Sequence, residues 1–342
     1  MSALAAAHIV ASSAATTTPH LSYLEAVTVG LIQGVTELFP ISSLGHNVLI
    51  PAMMGGQWAK DLNVSSSTYL AFVVGLHVAT ATGITIYFWR DWVRIIGGFF
   101  SSLRKMDIKT TEEKLAWMII VATLPVGMTG VLFEHTFRVL FGVPSRAAIF
   151  LIANGVILFV GERFRTRRSR LADEEGARDR DREEALVGAA RVAGAHSSGQ
   201  RALRQHEYES ALRADRRLTS LSFVQALIIG SAQVLALLAG ISRDGVTMVA
   251  GMFRGLSRED AARFAFLLAT PVILAAGVLK AGNLLSATGI LPQILAGCVV
   301  AGIAAYVSVR FLMKYFQTRT LNPFAIYCVA FGIISLAVIS IR

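Results

Sequence analysis

Gln33-Gly34-Val35-Thr36-Glu37-Leu38-Phe39-Pro40-Ile41-Ser42-Ser43-Leu44-Gly45-His46 sets a carboxylate and an imidazole inside a segment that is otherwise apolar. On insertion scales a charge near the bilayer centre costs at least ~2.5–3.5 kcal/mol, so ionisable groups in such a segment point to function. Working outward, Leu21 to Phe39 is helix-compatible, and Pro40 ends the run because it lacks an amide donor and restricts the residue before it. A helix from Ser43 to Met54 would cover only about 18 Å at 1.5 Å per residue, short of the ~30 Å hydrocarbon core. These lengths predict a re-entrant helix pair that dips to mid-membrane and returns.

The pattern recurs two hundred residues on. Laid without a gap under Leu21 to Gly55, the segment Leu221 to Gly255 repeats Leu21/Leu221, Ser22/Ser222, Gly30/Gly230, Gln33/Gln233, Ile41/Ile241, Ser42/Ser242 and Gly45/Gly245, among ten identities. The shared Ile-Ser-x-x-Gly falls on the polar break of both copies, where the second copy carries Arg243 in place of Ser43. The following spans also match, at Ala71/Ala265, Phe72/Phe266, Val78/Val272, Ala81/Ala275 and Gly83/Gly277.

Composition agrees with a membrane location: of 342 residues, 54% are hydrophobic and 16% charged, and the mean hydropathy is +0.58. Nucleic-acid binding, the usual rival for a net charge of +10, is excluded because the basic residues lie at the ends of apolar runs and in one linker, without interleaved aromatics. Cys298 and Cys328 sit in apolar runs and read as small core residues. The first twenty residues, rich in Ala, Ser and Thr, lack the basic start of a signal peptide.

Three spans follow the first break, at Tyr69 to Trp89, Leu115 to Phe133 and Ala147 to Gly161; Phe264 to Lys280, Leu291 to Phe311 and Pro323 to Ile341 follow the second. The expected fold is therefore all-α and polytopic, with a tail at 1–20, membrane repeats at 21–162 and 221–342, and a charged linker at 163–220. Each repeat holds one re-entrant pair and three transmembrane helices. An odd number of spans per repeat makes the second copy enter from the opposite side, an inverted repeat with its site near the midplane between copies. Following the chain, 26 of the 32 Lys and Arg fall on one side and five on the other, with Arg243 inside the membrane. The positive-inside rule makes the richer side cytoplasmic and both termini external. The linker between Arg163 and Arg217 holds fourteen Arg and ten acidic residues and reads as a solvated charged helix or as disorder. Its His196 and His206 are lone histidines, so it is expected to be dispensable for any chemistry.

At the breaks, Gln33 and Glu37 are four apart and share a helix face. Ser42 or Ser43 suits the cap of the next half-helix, whose amides and positive dipole end would face the membrane interior. A second such N-terminus at Ser242-Arg243, with the planar donors of an arginine, makes an anion site. Glu37 offers a hard oxygen to Mg²⁺ or Ca²⁺, with Gln33 and Asp244 as further candidate ligands, and His46 a general acid or base. Plainer readings stand beside these. The serines serve as caps alone, Gly30, Gly34 and Gly45 allow close helix packing, Glu37 and Arg243 form a structural ion pair, and His77 is a satisfied core histidine.

The chain resembles the undecaprenyl-diphosphate phosphatase family of the bacitracin-resistance type. The likeness rests on Gln33 and Glu37, on Pro40 through His46, on Gly240-Ile241-Ser242-Arg243, and on Phe88-Trp89-Arg90, Phe264-Ala265-Phe266-Leu267-Leu268 and Pro323-Phe324-Ala325-Ile326-Tyr327. It implies metal-dependent hydrolysis of undecaprenyl diphosphate to the monophosphate and inorganic phosphate, at a plasma-membrane site opening to the outer face. This would recycle the lipid carrier of cell-wall synthesis and confer bacitracin resistance. Carried over residue by residue, it makes Glu37, Ser43, His46 and Arg243 catalytic, and Gln33, Ser42, Gly45, Ser242, Arg243 and Thr247 substrate-binding. Where that family has Pro-Gly before the second motif and Ser after its Arg, this chain has Ala239-Gly240 and Asp244. The implied partners are a polyprenyl diphosphate lipid and the membrane, with a homo-oligomer allowed but not required. A polyprenyl-phosphate transporter or flippase would use the same anion site without needing an acid/base pair.

Overall fold

Two serines open the two related segments in the same way. In the computed structural model Ser22 Oγ accepts from Glu25 N at 3.2 Å while Glu25 Oε2 accepts from Ser22 N at 2.8 Å, and Ser222 with Gln225 repeats the arrangement at 3.2 and 2.9 Å. Each pair is a capping box, which satisfies otherwise orphaned amides at a helix start. The structure describes residues 21–56, 67–141, 143–192, 212–280, 282 and 288–341. The tail at 1–20, His196, His206 and the basic residues Lys60 and Arg342 lie outside the described residues.

Thirteen helices and no strand occur among the described residues. They are α1 (Tyr23–Thr36), α2 (Ser43–Met54), α3 (Ser67–Tyr87), α4 (Trp89–Lys105), α5 (Thr111–Phe141), α6 (Pro144–Arg163), α7 (Arg167–Val192), α8 (Leu212–Thr219), α9 (Phe223–Ala232), α10 (Arg243–Phe253), α11 (Arg258–Leu279), α12 (Leu291–Tyr315) and α13 (Asn322–Ile341). Five are long and apolar enough to cross a membrane, within α5, α6, α11, α12 and α13, and up to seven if each bent pair counts as one span. One such pair is α3 with α4, bent by 87°. Val131 of α5, Val299 and Ile303 of α12 and Ile333 of α13 are more than half exposed, an apolar surface suited to lipid.

Helices α1 and α3 pack on α12, α9 packs on α5, and α6 lies along α13. Glycine permits the closest of these approaches. A Cβ on Gly30 would sit 2.4 Å from the carbonyl oxygen of Gly297 in α12, and one on the matching Gly230 only 1.9 Å from that of Ala122 in α5. The two segments differ at their ends. Where α1 runs on to Thr36, α9 stops at Ala232 and tightens into a 3₁₀ turn, Gln233–Leu237. Gln33 Nε2 donates to Glu37 Oε2 one turn on, whereas the matching Leu237 offers Gln233 no partner, so nothing braces that last turn as α-helix.

The charged linker is helical in its first part, α7, as one reading of its sequence has it, but is tied down by ion pairs. Asp173 accepts from Arg165 and, at 2.6 Å, from Arg258 at the start of α11, and Arg258 also reaches Glu162. Asp215 in α8 is 1% exposed and accepts from Arg263 at 2.6 Å, while Arg263 also bonds Asp91 of α4 at 2.7 Å. Arg217 grips Asp260 through two nitrogens at 2.8 and 3.1 Å. A charge run that looks solvated in isolation is thus neutralised by ions of the opposite sign at the ends of α4, α6 and α11. Cys328 is buried and both cysteines are free.

Candidate active site

The two chain breaks meet. Ser42 caps α2, its Oγ accepting from Gly45 N, and the same oxygen accepts from Gly240 N of the other break, both at 3.2 Å. Ser242 caps α10 in the same way through Gly245 N at 3.2 Å. Asn154 of α6 ties the breaks together, donating to Pro40 O at 2.9 Å and accepting from Ser242 N at 2.9 Å. Ser42 holds φ 68° and Gly240 φ 111°; the first is a conformation that L-residues rarely keep except at over-determined functional turns. A Cβ on Gly45 would lie 3.0 Å from Gly240 Cα, so the glycine lets the two half-helix starts cross.

At this crossing lies a cavity of about 170 Å³. Glu37, Ser42, Ser43, His77, Gln233, Ser242 and Arg243 give it a polar part, and Leu44, Val126, Leu237, Ile241 and Val272 an apolar one. Ser43 Oγ donates to Glu37 Oε2 at 2.5 Å, and Arg243 Nη2 donates to Glu37 Oε1 at 2.6 Å. Gln33 stands behind the carboxylate: its Nε2 donates to Glu37 at 2.8 Å and its Oε1 accepts from Asn47 at 2.7 Å. The buried Glu37–Arg243 ion pair is therefore real in geometry, and it faces a cavity. Thr247 lies behind Arg243, its hydroxyl donating to the arginine carbonyl at 2.6 Å. Asp244, 1% exposed, makes no hydrogen bond through either oxygen and has only Arg243 Nε at 3.6 Å.

The two histidines have different surroundings. His46 does not reach the cavity. Its Nδ1 donates to Ser42 O at 2.7 Å, which leaves Nε2 to accept from Tyr327 O–H at 2.8 Å, and the ring stacks on Tyr327 and Phe331 of α13. His77, read as a core histidine, lines the cavity instead. Its Nδ1 donates to Val73 O at 2.8 Å and its Nε2 stands 3.5 Å from Glu37 Oε2. Both rings share the same anchor, a carbonyl four residues back. They differ in what faces Nε2, a hydroxyl donor for His46 and a carboxylate for His77. Sequence reasoning also passed over Asn154 and gave Gln233 no role; for Gln233 the signal was present, in its match to Gln33.

Comparison with known proteins adds kinship to this geometry. The family model "Bacitracin resistance protein BacA" matches residues 26–334. The chain belongs to this family. It is 53% identical over 329 residues to the undecaprenyl-diphosphatase of Mycolicibacterium paratuberculosis, across 95% of this chain and 100% of the relative. It is 52% identical to that of Mycobacterium avium over the same shares. Identity to the undecaprenyl-diphosphatase 2 of Frankia alni is 50%, across 91% and 96%. The BacA match takes in every polar residue of the cavity, from Glu37 to Arg243.

Proposed function

We propose that this chain is an integral membrane phosphatase that hydrolyses undecaprenyl diphosphate to undecaprenyl phosphate and inorganic phosphate, returning the lipid carrier to cell-wall synthesis and conferring bacitracin resistance. The observation that carries the reading is Ser43–Glu37–Arg243: a hydroxyl on its base, and a guanidinium on the same carboxylate, at a cavity with one polar and one apolar part. A diphosphate head on an isoprenoid tail needs such a divided site. The names of relatives at 50–53% identity support the same reading. A carrier would have no use for a nucleophile bonded to a base, and none of these relatives is named as one.

In the proposed reaction Ser43 is the nucleophile and Glu37 its base. The Ser43 proton passes to Glu37 Oε2 as Ser43 Oγ bonds to the terminal phosphorus. The bond from phosphorus to the bridging oxygen breaks, and undecaprenyl phosphate leaves with that electron pair. Water then hydrolyses the phosphoserine, restoring Ser43 and releasing phosphate. Arg243 and the amides at the starts of α2 and α10 stabilise charge on the transferred group. Ser42 and Ser242 hold those starts, Gly45 lets them cross, and Thr247 steadies Arg243. His46, bonded at both nitrogens, positions α2 against α13.

Glu37 and Asp244 are the carboxylates near Arg243: Glu37 accepts hydrogen bonds through both oxygens and Asp244 through neither, while Gln33 has both amide atoms engaged. No group of three His, Cys, Asp or Glu that would hold a metal occurs among the described residues. That set does not fit Ca²⁺, which takes six to eight oxygens, but it fits Mg²⁺, which is commonly held by one or two carboxylates and the phosphates of the substrate. When bound by Glu37 in that way, Mg²⁺ would offset phosphate charge.

The architecture we infer is an inverted repeat, each half a re-entrant pair with three spans, the termini and the cavity mouth on the outer side and the linker in the cytoplasm. Support comes from the matched capping boxes, the matched caps at Ser42 and Ser242, and the reciprocal packing of Gly30 on α12 and Gly230 on α5.

The test of function is phosphate release by the purified protein from C55 and C15 diphosphates with Mg²⁺ and with EDTA. Release that Ser43→Ala and Glu37→Gln abolish is the expected result. Release undiminished in both variants would defeat the assignment.

A further inference from the structure

Gln233 is 1% exposed, it lines the cavity beside Arg243, and neither its Nε2 nor its Oε1 has a hydrogen-bond partner. A buried amide with both atoms unbonded is uncommon and costly, and asks for a partner that arrives. The repeat explains why it is left unbonded. Gln33, its counterpart, gives its amide hydrogens to Glu37 and takes the amide of Asn47. At the positions matching those two partners, the second copy has Leu237 and Thr247. Leucine offers nothing, and the Thr247 hydroxyl is spent on Arg243 O. One glutamine braces the base, while the other retains its buried place with both internal partners removed.

Resting on the phosphatase reading above, we propose that Gln233 is a further substrate-binding residue, its Nε2–H donating to a nonbridging oxygen of the lipid diphosphate beside Arg243. The 3₁₀ turn that carries it is part of the same device, since it places Gln233 on the cavity wall together with Leu237. The two copies thus divide the work: the first supplies nucleophile and base, the second supplies arginine and amide for the phosphates. An amide suits this position because it donates to phosphate without adding a charge to compete with Arg243 for Glu37.

The test compares Gln233→Leu with the parent and with Gln33→Leu, in detergent, on farnesyl diphosphate with Mg²⁺, reading kcat/KM and the melting temperature of each. A hydrogen bond to a charged group sets the expected loss, so Gln233→Leu should lower kcat/KM by about 10- to 100-fold. It should melt at or above the parent temperature, because it removes an unbonded buried amide. Gln33→Leu should lower both, because it strips the brace from Glu37. The nonhydrolysable farnesyl methylenediphosphonate should raise the melting temperature of the parent, and raise that of Gln233→Leu clearly less. If Gln233→Leu fails to fold, Gln233→Met takes its place in the same measurements. Turnover within twofold of the parent would overturn the proposal, as would a loss of kcat/KM matched by a fall in melting temperature with the analogue's shift intact. A parent that releases no phosphate would instead defeat the phosphatase reading, and the melting shift would then judge Gln233 by itself.

Discussion

Glu37 and Arg243, 206 residues apart in the chain, meet at 2.6 Å across the two helix breaks. Removing one partner of a buried pair leaves the other charge uncompensated, at a cost of about 3–5 kcal/mol. Arg243→Ala should therefore lose both melting temperature and about a hundredfold or more in kcat/KM. The double variant Glu37→Gln with Arg243→Met separates the two effects. Its melting temperature should recover while turnover stays absent; recovery of turnover would show that the pair is structural and the chemistry lies elsewhere.

The two histidines predict opposite substitution patterns. His77 offers Nε2 to the cavity, so His77→Gln, which keeps a nitrogen there, should hold turnover within about tenfold, and His77→Leu should lose more. His46 acts through Ser42 O and Tyr327, so His46→Ala should lower melting temperature along with kcat, and Tyr327→Phe should reproduce part of that fall. A His46→Ala protein that melts like the parent yet does not turn over would place His46 in the chemistry and refute its positioning role.

Orientation is tested by labelling. Cysteine at Val143, which follows α5, should react in intact cells with a membrane-impermeant reagent, and cysteine at Lys109, between α4 and α5, should react only after lysis. The reverse pattern would invert the topology and move the cavity mouth to the cytoplasm.

The breaks and the placing of Glu37 and Arg243 at them were legible in the sequence because a charge in an apolar segment has few bland explanations. The place of His77 on the cavity wall was not, since a single imidazole among apolar residues looks alike whether it meets a carbonyl or a carboxylate; the difference is made by Glu37, forty residues away. Asn154 was hidden for the same reason, its partners lying at 40, 242 and 328. The docked linker was hidden because a run of mixed charge is neutralised equally well by water or by Arg258, Asp260 and Arg263. Only the fold says which.

That docking also moves the boundary of what can be removed. Cutting 166–215 would take away Asp173 and Asp215 and leave Arg258 and Arg263 short of a partner each. Replacing only 193–211 with a Gly/Ser linker should leave phosphate release within a fewfold of the parent, whereas Asp215→Ala alone should lower the melting temperature measurably. An Asp215→Ala protein with unchanged melting would mean that Asp91 suffices for Arg263.

Asp244 is where this chain parts from the serine that its family resemblance leads one to expect. Lying in the first turn of α10, its carboxylate gains ~0.3–1 kcal/mol from the helix dipole. Against this stands its burial without a hydrogen bond, the guanidinium of Arg243 being 3.6 Å away and already bonded to Glu37. Desolvation of an unbonded carboxylate outweighs a dipole term of that size. Asp244→Ser should therefore raise the melting temperature, and, because Asp244 does not line the cavity, change turnover by less than about tenfold, or ~1.4 kcal/mol. The variant is best assayed across a Mg²⁺ titration. Turnover as low as that of Glu37→Gln, partly rescued by high Mg²⁺, would make Asp244 a metal ligand and its unbonded oxygens the mark of that site.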